Sequence, residues 1–121
     1  MRIKKSEREL VKAKYGGCCA YCGIKLNGRW EVDHLKPIRR DQDGGCEHPE
    51  RHTFDNFMPS CVSCNRDKNT YSLETWRSML YNKVNVLNRD FTPYKIAKRY
   101  GLVVETDMEI VFYFEGYIKD E

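Results

Sequence analysis

Cys61-Val62-Ser63-Cys64-Asn65-Arg66-Asp67-Lys68 is the stretch whose reading decides the fold. A helix beginning near Cys61 and running through Asn69 sets Cys61 and Cys64 three residues apart, on one face. The same spacing puts Asn65 and Lys68 on a neighbouring face. A second pair, Cys19-Ala20-Tyr21-Cys22, stands well upstream and is followed by Gly23. Two Cys-x-x-Cys pairs can close a tetrahedral zinc site that pins distant segments together, and four thiolates leave no open position for catalysis. The alternative is a redox-active Cys-x-x-Cys, which belongs at a strand-to-helix junction that neither pair shows. Cys18 could stand in for Cys19, although the two-residue spacing favours Cys19. Cys18 and Cys46 are left over.

Between the pairs, Trp30, Val32 and His34 alternate with Glu31 and Asp33, which is strand periodicity. Alternation points Asp33 and His34 to opposite faces, and Pro37 ends the strand. Phe57-Met58-Pro59 reads as a second short strand. Residues 39–55 are polar, contain glycine and lack a period, so they read as a long loop of the functional or mobile kind. Asp33 is an acidic oxygen ligand, His34 a candidate general base and Asn65 a neutral amide ligand. Together they suit a second metal bound through oxygen atoms.

Further out, residues 6–15 read as a helix with a Ser6/Glu9 capping box, stopped by Gly16-Gly17. Ser72 caps a helix in which Leu73, Trp76, Met79 or Leu80, Val84 and Leu87 recur at helical spacing. Thr92-Pro93 opens another, ending at Gly101. Residues 102–105 and 109–115 suggest strands, because Ile110, Phe112 and Phe114 alternate with Val111, Tyr113 and Glu115. That alternation makes the aromatic residues of the tail core rather than a stacking platform for bases. Trp30 reads as packing beside the zinc site. No repeat or linker interrupts residues 1–121, so a single domain is expected.

Apolar residues make up 40% of the 121 and charged residues 32%, leaving a modest core that a structural metal would reinforce. A net charge of +3 does not itself announce nucleic acid. Local basic clusters matter more: Arg2, Lys4, Lys5, Arg8, Lys12 and Lys14 at the start, then Lys36, Arg39 and Arg40. The N-terminus is charged, with no apolar run of the secretory kind, and no stretch has the length of a membrane helix. A reducing cytosol follows as the default, where paired cysteines favour metal over disulfides.

In order, the chain offers Cys19-Ala20-Tyr21-Cys22-Gly23, Glu31-Val32-Asp33-His34-Leu35-Lys36-Pro37, Asp55-Asn56-Phe57-Met58-Pro59-Ser60-Cys61 and Cys64-Asn65-Arg66-Asp67-Lys68. This order resembles the HNH endonucleases of the ββα-metal type, over roughly residues 15–70. The resemblance implies an α+β fold, a small zinc-stapled ββα-metal core with a C-terminal helical and strand extension. It implies His34 as the base that takes a proton from water, and Asp33 and Asn65 as ligands of one magnesium or manganese ion. That cation would contact the scissile phosphate and the departing 3′ oxygen. Asn56 matches the family's middle Asn and would brace the loop that carries His34. Lys68 and Arg66, with Lys36, Arg39 and Arg40, would contact phosphates of DNA, taken as double-stranded.

The last His of the pattern is Asn65 here, a variant the family also uses. As a harder ligand than imidazole, an amide weakens any case for zinc or nickel in catalysis. The segment Cys46-Glu47-His48-Pro49-Glu50-Arg51-His52 has no counterpart in the pattern and reads as a surface loop near DNA, with a further metal site as its alternative. The resemblance places the chain in the cytoplasm of a bacterial or phage-infected cell. One such site cuts one strand, so double-strand cleavage needs a homodimer or two successive nicks, with the tail as the place for a dimer contact. The rival is a zinc-stabilised nucleic-acid-binding module without catalysis, which has no use for Asp33, His34 and Asn65 together.

Overall fold

The computed structural model describes residues 2–119. These divide into two compact units, one of residues 2–73 with 111–119 and one of residues 74–110. The first unit holds every residue singled out above for chemistry.

Helix α1 covers Lys5–Ala13 and buries Val11. It starts one residue earlier than the sequence suggested, with Lys4 at the N-cap and no side-chain cap, so the Ser6/Glu9 box does not form. Ser6 lies inside the helix, where its hydroxyl cannot serve as the capping oxygen. After α1 the chain turns through Gly16 and Gly17, both at positive φ, into a hairpin-like knuckle closed by the Cys18–Lys25 bridge. Gly23 has φ +80° there, and a Cβ on it would stand 2.7 Å from the Tyr113 ring. Both the backbone and the packed ring therefore exclude a side chain at that turn.

Strand β1 is Glu31–His34 and strand β2 is Phe57–Ser60. They pair antiparallel in a two-stranded sheet, with Asp33 opposite Met58 and His34 opposite Phe57. All four residues of β2 are buried, which makes it the floor of the unit. The Ala20 N–H donates to the Pro59 carbonyl at 2.8 Å, docking the knuckle on β2. Helix α2, Val62–Lys68, follows directly, with Cys61 at its N-cap and Asn69 (φ +52°) ending it. Sheet and helix thus form a ββα unit.

The loop joining β1 to β2 is more ordered than its composition suggests. Arg40 and Cys46 form a bridge, and Asp41 Oδ1 accepts from the N–H groups of Asp43 and Gly45 at 3.1 and 2.9 Å. Two 3-10 turns, Pro49–Arg51 and Phe54–Asn56, complete it.

Residues 109–115 are not a strand, and neither are 102–105. Chain 111–119 instead caps the knuckle: the N–H groups of Tyr113 and Phe114 donate to the carbonyls of Tyr21 and Ala20 at 3.0 and 2.8 Å. Helix α5, Tyr113–Gly116, starts there, with Glu115 accepting from the Phe112 N–H. The aromatic alternation serves a ring cluster of Tyr15, Tyr21, Phe112, Phe114 and Tyr117. Edge-to-face contacts of this kind hold without a sheet partner.

In the second unit, α3 runs to Asp90 from Leu73 and α4 covers Thr92–Arg99. Pro93 sits in the first turn of α4 and Gly101 takes φ +78° just beyond its end, as the sequence suggested. Glu105 ties this unit together, accepting from Asn88 and Tyr94 at 2.7 Å and pairing with Lys98 at 3.1 Å. Among the described residues no helix is long and apolar enough to cross a membrane.

Candidate active site and metal staple

The four sulfurs of Cys19, Cys22, Cys61 and Cys64 lie within 4.8 Å of one another. Ligand sulfurs about 2.3 Å from zinc stand about 3.8 Å apart at the corners of a tetrahedron. Cys22 Sγ and Cys61 Sγ are 3.9 Å apart, so the cluster fits zinc. Local structure aims these groups inward. The Gly23 N–H returns to the Cys19 carbonyl at 3.0 Å to curl the knuckle, and the Cys64 N–H donates to Cys61 Sγ at 3.4 Å.

The hydrogen bond from Cys64 pulls the Cys19 thiol down to about 4. The same bond pushes the Cys64 thiol far up, and burial pushes Cys22 up to about 11. Zinc binding to such a cluster displaces protons, so its affinity falls in acid. Among the described residues this is the one group of three or more cysteine, histidine or acidic residues that could hold a metal ion. The Cys46–His52 loop forms no second such group; His48 pairs there with Glu50 at 3.1 Å.

Strand alternation separates Asp33 from His34. Asp33 is buried, and its Oδ2 accepts from the Tyr21 hydroxyl at 2.5 Å and from Lys68 Nζ at 2.9 Å. Burial pushes the Asp33 carboxyl above its ordinary value, against the pull of Lys68 and Tyr21. Lys68 Nζ also reaches the His34 carbonyl at 3.1 Å. The placement of Lys68 among phosphate contacts is therefore corrected. Its ammonium is fully buried and committed to Asp33, where it locks α2 to β1. Removing one partner of a buried pair strands the other charge, so Lys68→Met should destabilise the fold by about 3–5 kcal/mol in urea unfolding. Changing Asp33→Leu as well should restore most of that loss; a single variant as stable as wild type would refute the lock.

His34 and Asn65 face an open cleft that Glu31, Val32 and His52 also line. Arg2, Arg8, Arg29 and Arg40 rim it, and the Arg8 guanidinium lies 4.4 Å over the Trp30 ring. Trp30 thus serves as a platform for a cleft arginine. Arg40 lies on the rim of the cleft, while Lys36, Arg39 and Arg66 are exposed but do not line it.

The His34 ring is held edge-on against Phe57, with centroids 5.4 Å apart, and His34 Nε2 lies 2.9 Å from His52 Nδ1. Burial first, then the neighbouring His52, Arg40 and Lys68 charges, push His34 down to about 4. At neutral pH it is therefore an uncharged imidazole, the form that accepts a proton. Asn56 clasps the turn after β1. Its Oδ1 accepts from the Lys36 N–H and its Nδ2 donates to the carbonyls of Lys36 and Arg51, at 2.9, 2.9 and 2.8 Å. These bonds fix the backbone just past His34.

The carboxylate in contact with Asn65 is that of Glu31, whose Oε1 lies 3.1 Å from Asn65 Nδ2. Glu31 shares the strand face of Asp33, two residues away, which is the signal that could have marked it. An amide can be turned to present its oxygen. Two oxygens about 3 Å apart match neighbouring positions of an octahedron about 2.1 Å around magnesium. The donor chemistry at Glu31 and Asn65 therefore fits a hard divalent cation. Sequence marked His52 only within an alternative metal site, because it arrives through an aperiodic loop.

A two-stranded antiparallel sheet, a following helix and a cluster of four cysteines make a ββα arrangement consistent with the ββα-metal fold of HNH nucleases. Residues 19–70 match the HNH endonuclease family model, from the first staple cysteine to just beyond α2. The chain is also similar to the "SPbeta prophage-derived putative HNH endonuclease YoqL" of Bacillus subtilis (strain 168), 25% identical over 88 residues. That similarity covers 72% of this chain and 35% of the relative, so the chain spans about a third of the relative's length. No solved structure matches.

Proposed function

We propose that the protein is a metal-dependent endonuclease that hydrolyses phosphodiester bonds of double-stranded DNA one strand at a time. One observation carries this: His34, Asn65 and Glu31 share a single open cleft rimmed by four arginines, on the frame of the HNH match. Zinc-binding alone would need the cysteines but not this grouping.

In the proposed reaction His34 takes the proton from a water as its oxygen attacks phosphorus. Asn65, with Asp33 as the motif implies and Glu31 beside it, would hold a magnesium or manganese ion. When bound, that cation stabilises the charge growing on the phosphate and the departing 3′ oxygen. Arg8, Arg29 and Arg40, on the rim of that cleft, would bind phosphates of the DNA backbone, a contact that gives affinity without base readout. Asn56 holds the His34 turn in place, and Lys68 keeps β1 against α2.

Supercoiled plasmid incubated with the zinc-loaded protein and magnesium should become nicked circles that DNA ligase reseals, since the products carry 5′-phosphate and 3′-hydroxyl ends. Nicks that ligase cannot seal would exclude this chemistry.

A further inference from the structure

We infer that His52 is a positioning residue of the reaction, holding His34 in the one tautomer that can act as base. This rests on the proposed role of His34. The observation is the contact of two ring nitrogens, His34 Nε2 and His52 Nδ1, at 2.9 Å. One of them must donate and the other accept. If His34 Nε2 accepted, its hydrogen would sit on Nδ1, and neither nitrogen could take a proton from water. If His34 Nε2–H donates to His52 Nδ1, the lone pair is left on His34 Nδ1. Only the second arrangement makes a working base. As the water O–H bond breaks and its electron pair turns to phosphorus, the proton moves to Nδ1 of His34. The Nε2–H bond to His52 then stabilises the resulting imidazolium, a task that a buried carboxylate performs in serine-protease triads.

The surroundings fit this role. His52 is half-buried, its ring edge-on to Phe57 at 4.9 Å between centroids and tilted 36° to His34 at 5.2 Å. Phe57 therefore supports both imidazoles from the strand beneath. The backbone on either side of His52 is tied down: its own N–H donates to the Pro49 carbonyl at 3.1 Å, and Arg51 reaches the Pro37 carbonyl at 2.8 Å. Asn56, four residues on, links the Arg51 carbonyl to Lys36. The long loop thus delivers one ring to one partner.

Long-range proton–nitrogen correlation spectra of the zinc-loaded wild type should show His34 as the Nε2–H tautomer; a Nδ1–H tautomer would overturn the inference. In His52→Phe the single-turnover nicking rate should fall about 10- to 100-fold, as when a group that orients a working histidine is lost. The KM for DNA, zinc content and melting temperature should stay near wild type. His52→Asn, whose amide oxygen can accept the same bond, should recover most of the rate. A His52→Phe variant nicking at the wild-type rate, beside an inactive His34→Ala, would refute the role of His52 alone. If His34→Ala also nicks normally, it is the base assignment that fails. Should His52→Phe not fold, the wild-type spectrum and His52→Asn still decide the question.

Discussion

His34→Ala should nick supercoiled DNA about 10²–10⁴-fold more slowly than wild type, the usual worth of a positioned general base. The size of the effect follows from placement. The ring lies in the arginine-rimmed cleft, is held against Phe57, and is kept uncharged at neutral pH by burial and the charges around it. His52 is the other histidine that lines the cleft among the described residues, and it is engaged with His34 itself. The fold should survive the change, because His34 is only half-buried and its backbone ladder to Phe57 is kept. Zinc content equal to wild type with activity lost is the expected pair of results. Full activity in His34→Ala would remove His34 from the chemistry.

Cys64→Ser should lose zinc and unfold the first unit, and a strong chelator should do the same to the wild type. Zinc-binding free energies of structural sites run about 10–16 kcal/mol in zinc-finger peptides. Whole domains are stable by about 5–15 kcal/mol. Losing a ligand therefore removes a quantity as large as the net stability. The geometry says why nothing else can compensate. The knuckle of Cys19 and Cys22 meets β2 through the Ala20–Pro59 hydrogen bond, and α2 begins at Cys61. The core between them is a short list led by Val11, Tyr21, Phe57 and Met58. Circular dichroism with zinc analysis by mass spectrometry reads both effects; a folded, zinc-free Cys64→Ser protein would show that the staple is dispensable.

What could be read from sequence was what local spacing controls. Cys19-x-x-Cys22 and Cys61-x-x-Cys64 mark their own turns, and the alternation around Val32 and His34 marks β1. Asn69 at positive φ ends α2 where the helical pattern stops. What could not be read depends on contacts between distant segments. Lys68 looks solvent-facing as a letter, yet Asp33 and the His34 carbonyl neutralise its burial from another element. Asn65 meets Glu31 across two elements, while one oxygen of Asp33 meets Lys68 and Tyr21. His52 reaches His34 through a loop without a period, and period is the signal that sequence reading depends on. The tail misled for the opposite reason: its alternation is real but packs rings on a knuckle instead of joining a sheet.

Two metals with separate tasks are the central claim, zinc to build the fold and a hard cation to support cleavage. The most direct measurement is plasmid nicking by protein carrying one zinc per chain, with magnesium titrated in and bound zinc recorded throughout. Nicking that is absent without magnesium, rises with it and stops on its removal while zinc stays at one per chain is the predicted result. A folded, zinc-loaded protein that binds DNA but never nicks it with magnesium or manganese would contradict the claim.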